Sequence, residues 1–137
     1  LSILPRPVQE HLPIMIGGSG EKKTLRIVAQ YADIWNAFGT VEGLAAKDAV
    51  LRAHCEAVGR DESEIERTVG CKVMIRATEA EARRVVEAAL EHNKTPRNLP
   101  DTDHTFWTGT PEQVAEIMAG YKRIGFGTFV VELPVTH

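Results

Sequence analysis

The sequence has few cysteines, few aromatic residues, no long apolar run and no strong excess of either charge. Cys55 and Cys71 are its 2 cysteines and form no CxxC pair. Two are too few for a disulfide framework, which fits a reducing cytoplasm. No stretch approaches the ~20 apolar residues that span a bilayer, so no membrane partner is expected. Lys+Arg 16 against Asp+Glu 19 leaves a formal charge of −3. Such a chain has no electrostatic reason to seek nucleic acid or anionic lipid. His11, His54, His92, His104 and His137 show neither HxH nor HExxH spacing. They read as surface or loop residues, and no metal site is expected. Ser2, Ser19 and Ser63 lie in no GxSxG elbow, which leaves a hydrolase triad unsupported.

What is present is an ordinary globular composition, 43% hydrophobic and 26% charged over 137 residues. That length suits one domain, residues 1–137, or part of one. The first residue is Leu1 rather than Met, with no signal-peptide character. The numbering is therefore expected to begin inside a longer polypeptide.

Short apolar runs alternate with amphipathic helical stretches. Leu12 to Ile16 is an unbroken apolar run ending at Gly17-Gly18-Ser19-Gly20, the pattern of a strand covered on both faces. Leu25, Val28, Ala29 and Ala32 then form one helical stripe. Ala32 to Asn36 reads as a second short strand. A helix over about Glu42 to Val58 has Leu44, Leu51, Cys55 and Val58 on its buried face and Gly59 just past its end. Asp61 to Glu64 has the form of a capping box.

Thr68 to Ala77 is the next strand. Thr78 to Glu81 opens a helix striped by Ala82, Val85, Val86, Ala89 and Leu90. Asn93 to Gly109 reads as a long polar loop, with His104 and Trp107 as candidates for a lid. Thr110 with Pro111 starts a helix lined by Val114, Ile117, Met118 and Tyr121. Thr128 to Leu133 is the final strand. Strands alternating with helices predict right-handed crossovers and a parallel α/β sheet. Four parallel strands amount to half of an eight-stranded barrel or to a small open sheet. No helix follows the last strand, so truncation at both ends is the expectation.

The glycine turn is the most informative local feature. Glycines between a strand and a helix let a ligand approach the backbone, and the positive end of the helix favours an anion. Lys22 and Lys23 add charge that Glu21 partly offsets. The plainer reading is a tight turn that merely needs glycine. Asn36, Phe38, Arg76 and Glu132 lie near C-terminal strand ends, where barrel active sites gather. Arg76 is a candidate for an anion but reads more simply as paired with a carboxylate. Glu132, in an apolar run, is a base at a barrel mouth or a partner of Arg76 or Lys72. Trp35 reads as core.

Pro13 to Asn36, PIMIGGSGEKKTLRIVAQYADIWN, resembles the glycine-turn segment of the luciferase-like monooxygenase superfamily. The likeness is nearest to its branch dependent on the deazaflavin coenzyme F420. His54–Glu66 and Thr108–Pro134 agree in order and spacing. The resemblance implies a (β/α)8 TIM-type barrel of which this chain is the C-terminal half. It implies that Gly17, Gly18, Ser19 and Gly20 make backbone contacts to bound F420, or to FMN as the alternative, near its phosphate-bearing tail. It further implies a flavin- or deazaflavin-dependent oxidoreductase acting on a small organic substrate. The family positions its redox ring largely from the other half, so no catalytic residue is assigned here. An FMN-dependent monooxygenase and a non-catalytic half-barrel module are the rival expectations. Open sheet edges predict association with another chain, a homo-oligomer included.

Overall fold

The computed structural model describes residues 4–5, 8–92, 94 and 106–133. The chain runs β1 (Met15–Gly17), α1 (Thr24–Tyr31), β2 (Ile34–Ala37), α2 (Val41–Val58), a 3-10 turn (Glu62–Glu64), β3 (Glu66–Ile75), α3 (Glu79–His92), β4 (Phe106–Gly109), α4 (Pro111–Arg123) and β5 (Thr128–Glu132). Every strand pairing is parallel. The α/β partial barrel expected from the sequence is therefore the fold. Among the described residues it has five strands rather than four, because the stretch read as the polar loop Asn93–Gly109 ends in β4. Residue 93 and residues 95–105 of that stretch, the lid candidate His104 among them, lie outside the described residues.

The ten-residue β3 is the spine of the sheet. Thr68 pairs with both Asn36 and Thr128, and Lys72 with both Phe106 and Glu132. A strand residue has one neighbour per side, so β5 occupies one side of β3. On the other side β2 takes the lower half, Glu66–Val69, and β4 the upper half, Lys72–Ile75.

Side chains alternate across this sheet, and the two faces differ. Trp35, Ala37, Val69, Cys71 and Trp107 point into a core with Leu25, Val28 and Ala29 of α1, Leu44, Leu51 and Cys55 of α2, and Val114 and Tyr121 of α4. Trp35 is fully buried, with its ring edge-on to Phe126 at 5.4 Å between centroids. Burying ~200 Å² of indole at ~25 cal/mol/Å² contributes about 5 kcal/mol. The α1 stripe is buried as its spacing predicts. Val58 is instead largely exposed, and Asp48 takes a buried place on α2. On α3 only Ala82 and Ala89 are fully covered.

Caps follow the sequence. The Thr110 hydroxyl and the Gln113 side chain form a reciprocal capping box around Pro111, and Gly59 ends α2 at φ +70°. Thr78 Oγ1 accepts from the Glu81 amide at the start of α3. The Asp61 box caps only the 3-10 turn, accepting from the Ser63 amide. The paired part of the first apolar run is shifted to Met15–Gly17, so the glycine turn begins inside the strand.

The opposite face of the sheet is not covered by the helices. Ile16 and Val73 share a side with Trp35 and Trp107 and pack on the core. Met15 and Val130 alternate onto the open face and are exposed, and Ile75 and Val131 are exposed on the helix side.

Candidate functional site

The glycine turn lies at the C-terminal end of β1 and is held from beneath. The Gly18 amide donates to the Asn36 carbonyl at 3.0 Å, and the Trp35 indole N–H donates to the Gly18 carbonyl at 2.8 Å. These bonds fix Gly18 at φ +115°, a conformation side chains disfavour. A Cβ there would stand 3.4 Å from the Thr24 methyl. The core tryptophan thus also shapes the turn.

Helix α1 starts at Thr24, four residues beyond Gly20, so the turn does not open the helix directly. Between them the backbone amides of Ser19 to Thr24 find no acceptor among the described residues. Consecutive amides without acceptors are the kind of donor set that can meet an anion. From α2, Lys47 binds the Glu21 carboxylate at 2.5 Å, and the His54 ring donates to the Glu21 carbonyl at 2.7 Å. The Lys47 hydrogen bond holds the Glu21 carboxyl below its usual range. Glu21 is thereby drawn towards α2, while Lys22 and Lys23 stay exposed. His54, read from sequence as a surface residue, is a brace for this segment.

A second group of residues lines the open face. Gly17, Asn36, Thr68 and Thr128 form one row across four strands. The Thr68 hydroxyl lies 3.0 Å from the Asn36 side-chain oxygen and 3.2 Å from the Trp35 carbonyl. One row higher, the ring of Phe38 lies on Gly70, where a Cβ would overlap its edge atoms. Phe38 is nonetheless 55% exposed, and Val130, paired with Gly70, is 45% exposed. Higher still, the Lys72 ammonium lies 5.5 Å above the centre of the Phe106 ring and 3.6 Å from the Glu132 carboxylate.

Among the residues singled out from sequence, the structure thus brings Asn36, Phe38 and Glu132 to one face. Glu132 pairs with Lys72, one of its two expected partners. Arg76 turns back and donates to the Ile75 carbonyl. Trp107 is not part of a lid. It is buried in β4 and stacks on Tyr121 at 4.8 Å. The Tyr121 hydroxyl in turn donates to the Gly39 carbonyl at 2.8 Å and anchors the loop that carries Phe38. Sequence reasoning missed Gly70 and the role of Lys72. A glycine inside an otherwise apolar strand was the available signal, since it marks close approach of another group.

The fold is shared with solved structures of low sequence identity. An F420-dependent secondary alcohol dehydrogenase superposes with TM-score 0.74 at 14% identity, covering 91% of this chain and 44% of that one. EDTA monooxygenase from Chelativorans sp. BNC1 gives 0.67 at 18%, covering 88% and 39%. The coenzyme F420-dependent tetrahydromethanopterin reductase from Methanopyrus kandleri gives 0.65 at 15%, covering 89% and 45%. The chain spans less than half the length of each of these three. No curated protein sequence matches it significantly. The family model for luciferase-like monooxygenases matches residues 1–128, nearly the whole chain, and the chain therefore belongs to the luciferase-like monooxygenase family.

Proposed function

We propose that this chain supplies the cofactor-phosphate side of a flavin- or deazaflavin-dependent oxidoreductase acting on a small organic substrate, with F420 as the first choice of cofactor and FMN as the alternative. The observation that carries this reading is the run of free amides from Ser19 to Thr24 beside the glycine turn. A phosphate accepts several N–H donors at once, and the exposed Lys22 and Lys23 suit its charge. The donor set therefore fits the phosphate that both cofactors carry. Gly17 leaves the approach open, since a Cβ there would meet nothing nearer than the Asn36 carbonyl at 4.0 Å. When bound, the cofactor's tricyclic ring supplies the hydride or oxygen chemistry. The part of this chain is to hold the tail and to line one wall of the substrate space. Both cofactors occur among the structural relatives: the alcohol dehydrogenase is an F420 complex, and an FMN-bound Baeyer-Villiger monooxygenase has TM-score 0.59.

Absorbance titration with FMN and with F420 tests the reading. Gly18→Val adds a branched side chain at φ +115° against Thr24. The variant is expected to bind cofactor at least ~tenfold more weakly, equivalent to about 1.4 kcal/mol, while keeping a cooperative thermal transition. Equal affinity in a folded variant removes the turn from the site.

A further inference from the structure

The open face holds, beyond the glycine turn, an arrangement that the cofactor-tail reading does not use. Phe38 is at a strand end, yet its ring is laid against the sheet because Gly70 leaves room for it. The ring is pinned underneath and free above. Its loop is fixed by the hydrogen bond from the Tyr121 hydroxyl to Gly39. Val130 extends the same apolar level on the neighbouring strand. Lys72 is two residues above Gly70 on the same face, ~7 Å along the strand. Its ammonium carries three N–H donors and lies 3.6 Å from the Glu132 carboxylate, an ion pair longer than a hydrogen bond. A flat apolar surface with a cation at one edge matches a planar ligand that ends in an anionic group.

We propose that Phe38 and Lys72 form a substrate subsite for a planar organic molecule bearing a carboxylate, the ring resting on Phe38 and the carboxylate meeting Lys72. The proposal rests on the oxidoreductase reading and narrows its substrate class. Glu132 gives it a distinctive signature, because this carboxylate faces the same ammonium that the ligand would use. It competes for Lys72 and repels the incoming anion. Removing its charge should tighten binding of an anion and leave a neutral ligand unaffected.

The test uses benzoate as the planar anion and benzamide as its neutral isostere, each titrated into the protein by calorimetry and by amide NMR shifts. Benzoate is expected to shift the Gly70, Lys72 and Val130 amides. Lys72→Met should weaken benzoate ~tenfold or more, as for loss of a charge-assisted contact, and leave benzamide unchanged. Glu132→Gln should tighten benzoate severalfold. Phe38→Ala should weaken both ligands. Benzoate binding that is absent, that leaves these amides unshifted, or that is indifferent to Lys72→Met overturns the proposal. FMN titration of the same samples keeps the two readings apart. Loss of FMN binding in Gly18→Val with benzoate binding intact supports both sites, whereas failed benzoate binding alongside normal FMN binding sinks only the subsite.

Discussion

At Gly70 a missing side chain is what makes room for an aromatic one. The overlap in a Gly70→Ala variant falls on the outer edge of an exposed ring, which can swing away. Stability should therefore fall by about 1 kcal/mol, the low end of the cost of overpacking, while the orientation of Phe38 is lost. Thermal melts with benzoate titrations check this: a marked loss of affinity with a small loss of stability is expected. The buried cysteines lead to a different prediction. Desolvation raises the Cys71 thiol to about 11, and burial raises Cys55 as well. In the unfolded chain a thiol ionises at ~8.5, earlier than in the folded protein. Below that pH both states are protonated and the contribution is intact. Between it and about pH 11 the unfolded state alone loses the proton, so stability falls as pH rises. Urea midpoints measured from pH 8 to 10.5 should decline, and Cys71→Ala should flatten the decline. Neither thiol should react with iodoacetamide at pH 8 until the protein is unfolded.

Helix α2 is fastened to the sheet by charge as well as by apolar packing. Arg67 of β3 is 8% exposed and Asp48 of α2 is 6% exposed. The Arg67 Nε donates to Asp48 at 2.9 Å, and its other nitrogens reach the Ile65 and Glu62 carbonyls and the Glu62 carboxylate. Arg52 closes the network onto Asp48 at 2.7 Å and onto Glu62 at 2.8 Å. It ties one helix, one strand and the 3-10 turn together at the N-terminal end of β3, away from the glycine turn. Removing one charge strands its partner in a water-poor site. Asp48→Ala should cost about 3 kcal/mol, as for a broken buried pair. The double change Asp48→Leu with Arg67→Met should cost less than the sum of the two single changes, because no charge is left uncompensated. Urea denaturation of the set measures the coupling. Cofactor affinity should stay unchanged in any variant that still folds.

For the molecule as a whole, the sheet has helices on one face and exposed apolar groups on the other. Met15 is 50% exposed and Val130 45% exposed on that face, and Val131 at the edge of the helix-covered side is 46% exposed. β1 and β5 each pair on one side alone among the described residues. Burying one such side chain contributes ~1.5–3 kcal/mol, and an unpaired strand edge offers backbone donors and acceptors to another chain. The chain is therefore expected to associate. Sedimentation velocity decides this, and a sharp species near 15.1 kDa contradicts it. Met15→Lys should shift the distribution towards monomer.

Local interactions made much of the architecture legible in the sequence. The α1 stripe, the Thr110–Pro111 box and the Gly59 end of α2 depend on residues a few positions apart, so their chemistry can be read in order. The glycine turn was legible for the same reason. β4 was not, because four residues after a polar stretch carry almost no periodicity, and Phe106–Gly109 becomes a strand only by pairing with the upper half of β3. The apolar pattern of β3 likewise did not say which face would be covered, since both faces carry apolar residues and only the helices decide. Asp48 and Arg67, 19 residues apart, met through packing alone. The same is true of Tyr121 and Gly39, 82 residues apart, and of Phe38 on Gly70. The sequence by itself determined most of the elements, their caps and the glycine turn. Tertiary structure alone decided which side chains share the open face, because that placement depends on strand register and on contacts between residues far apart in the chain.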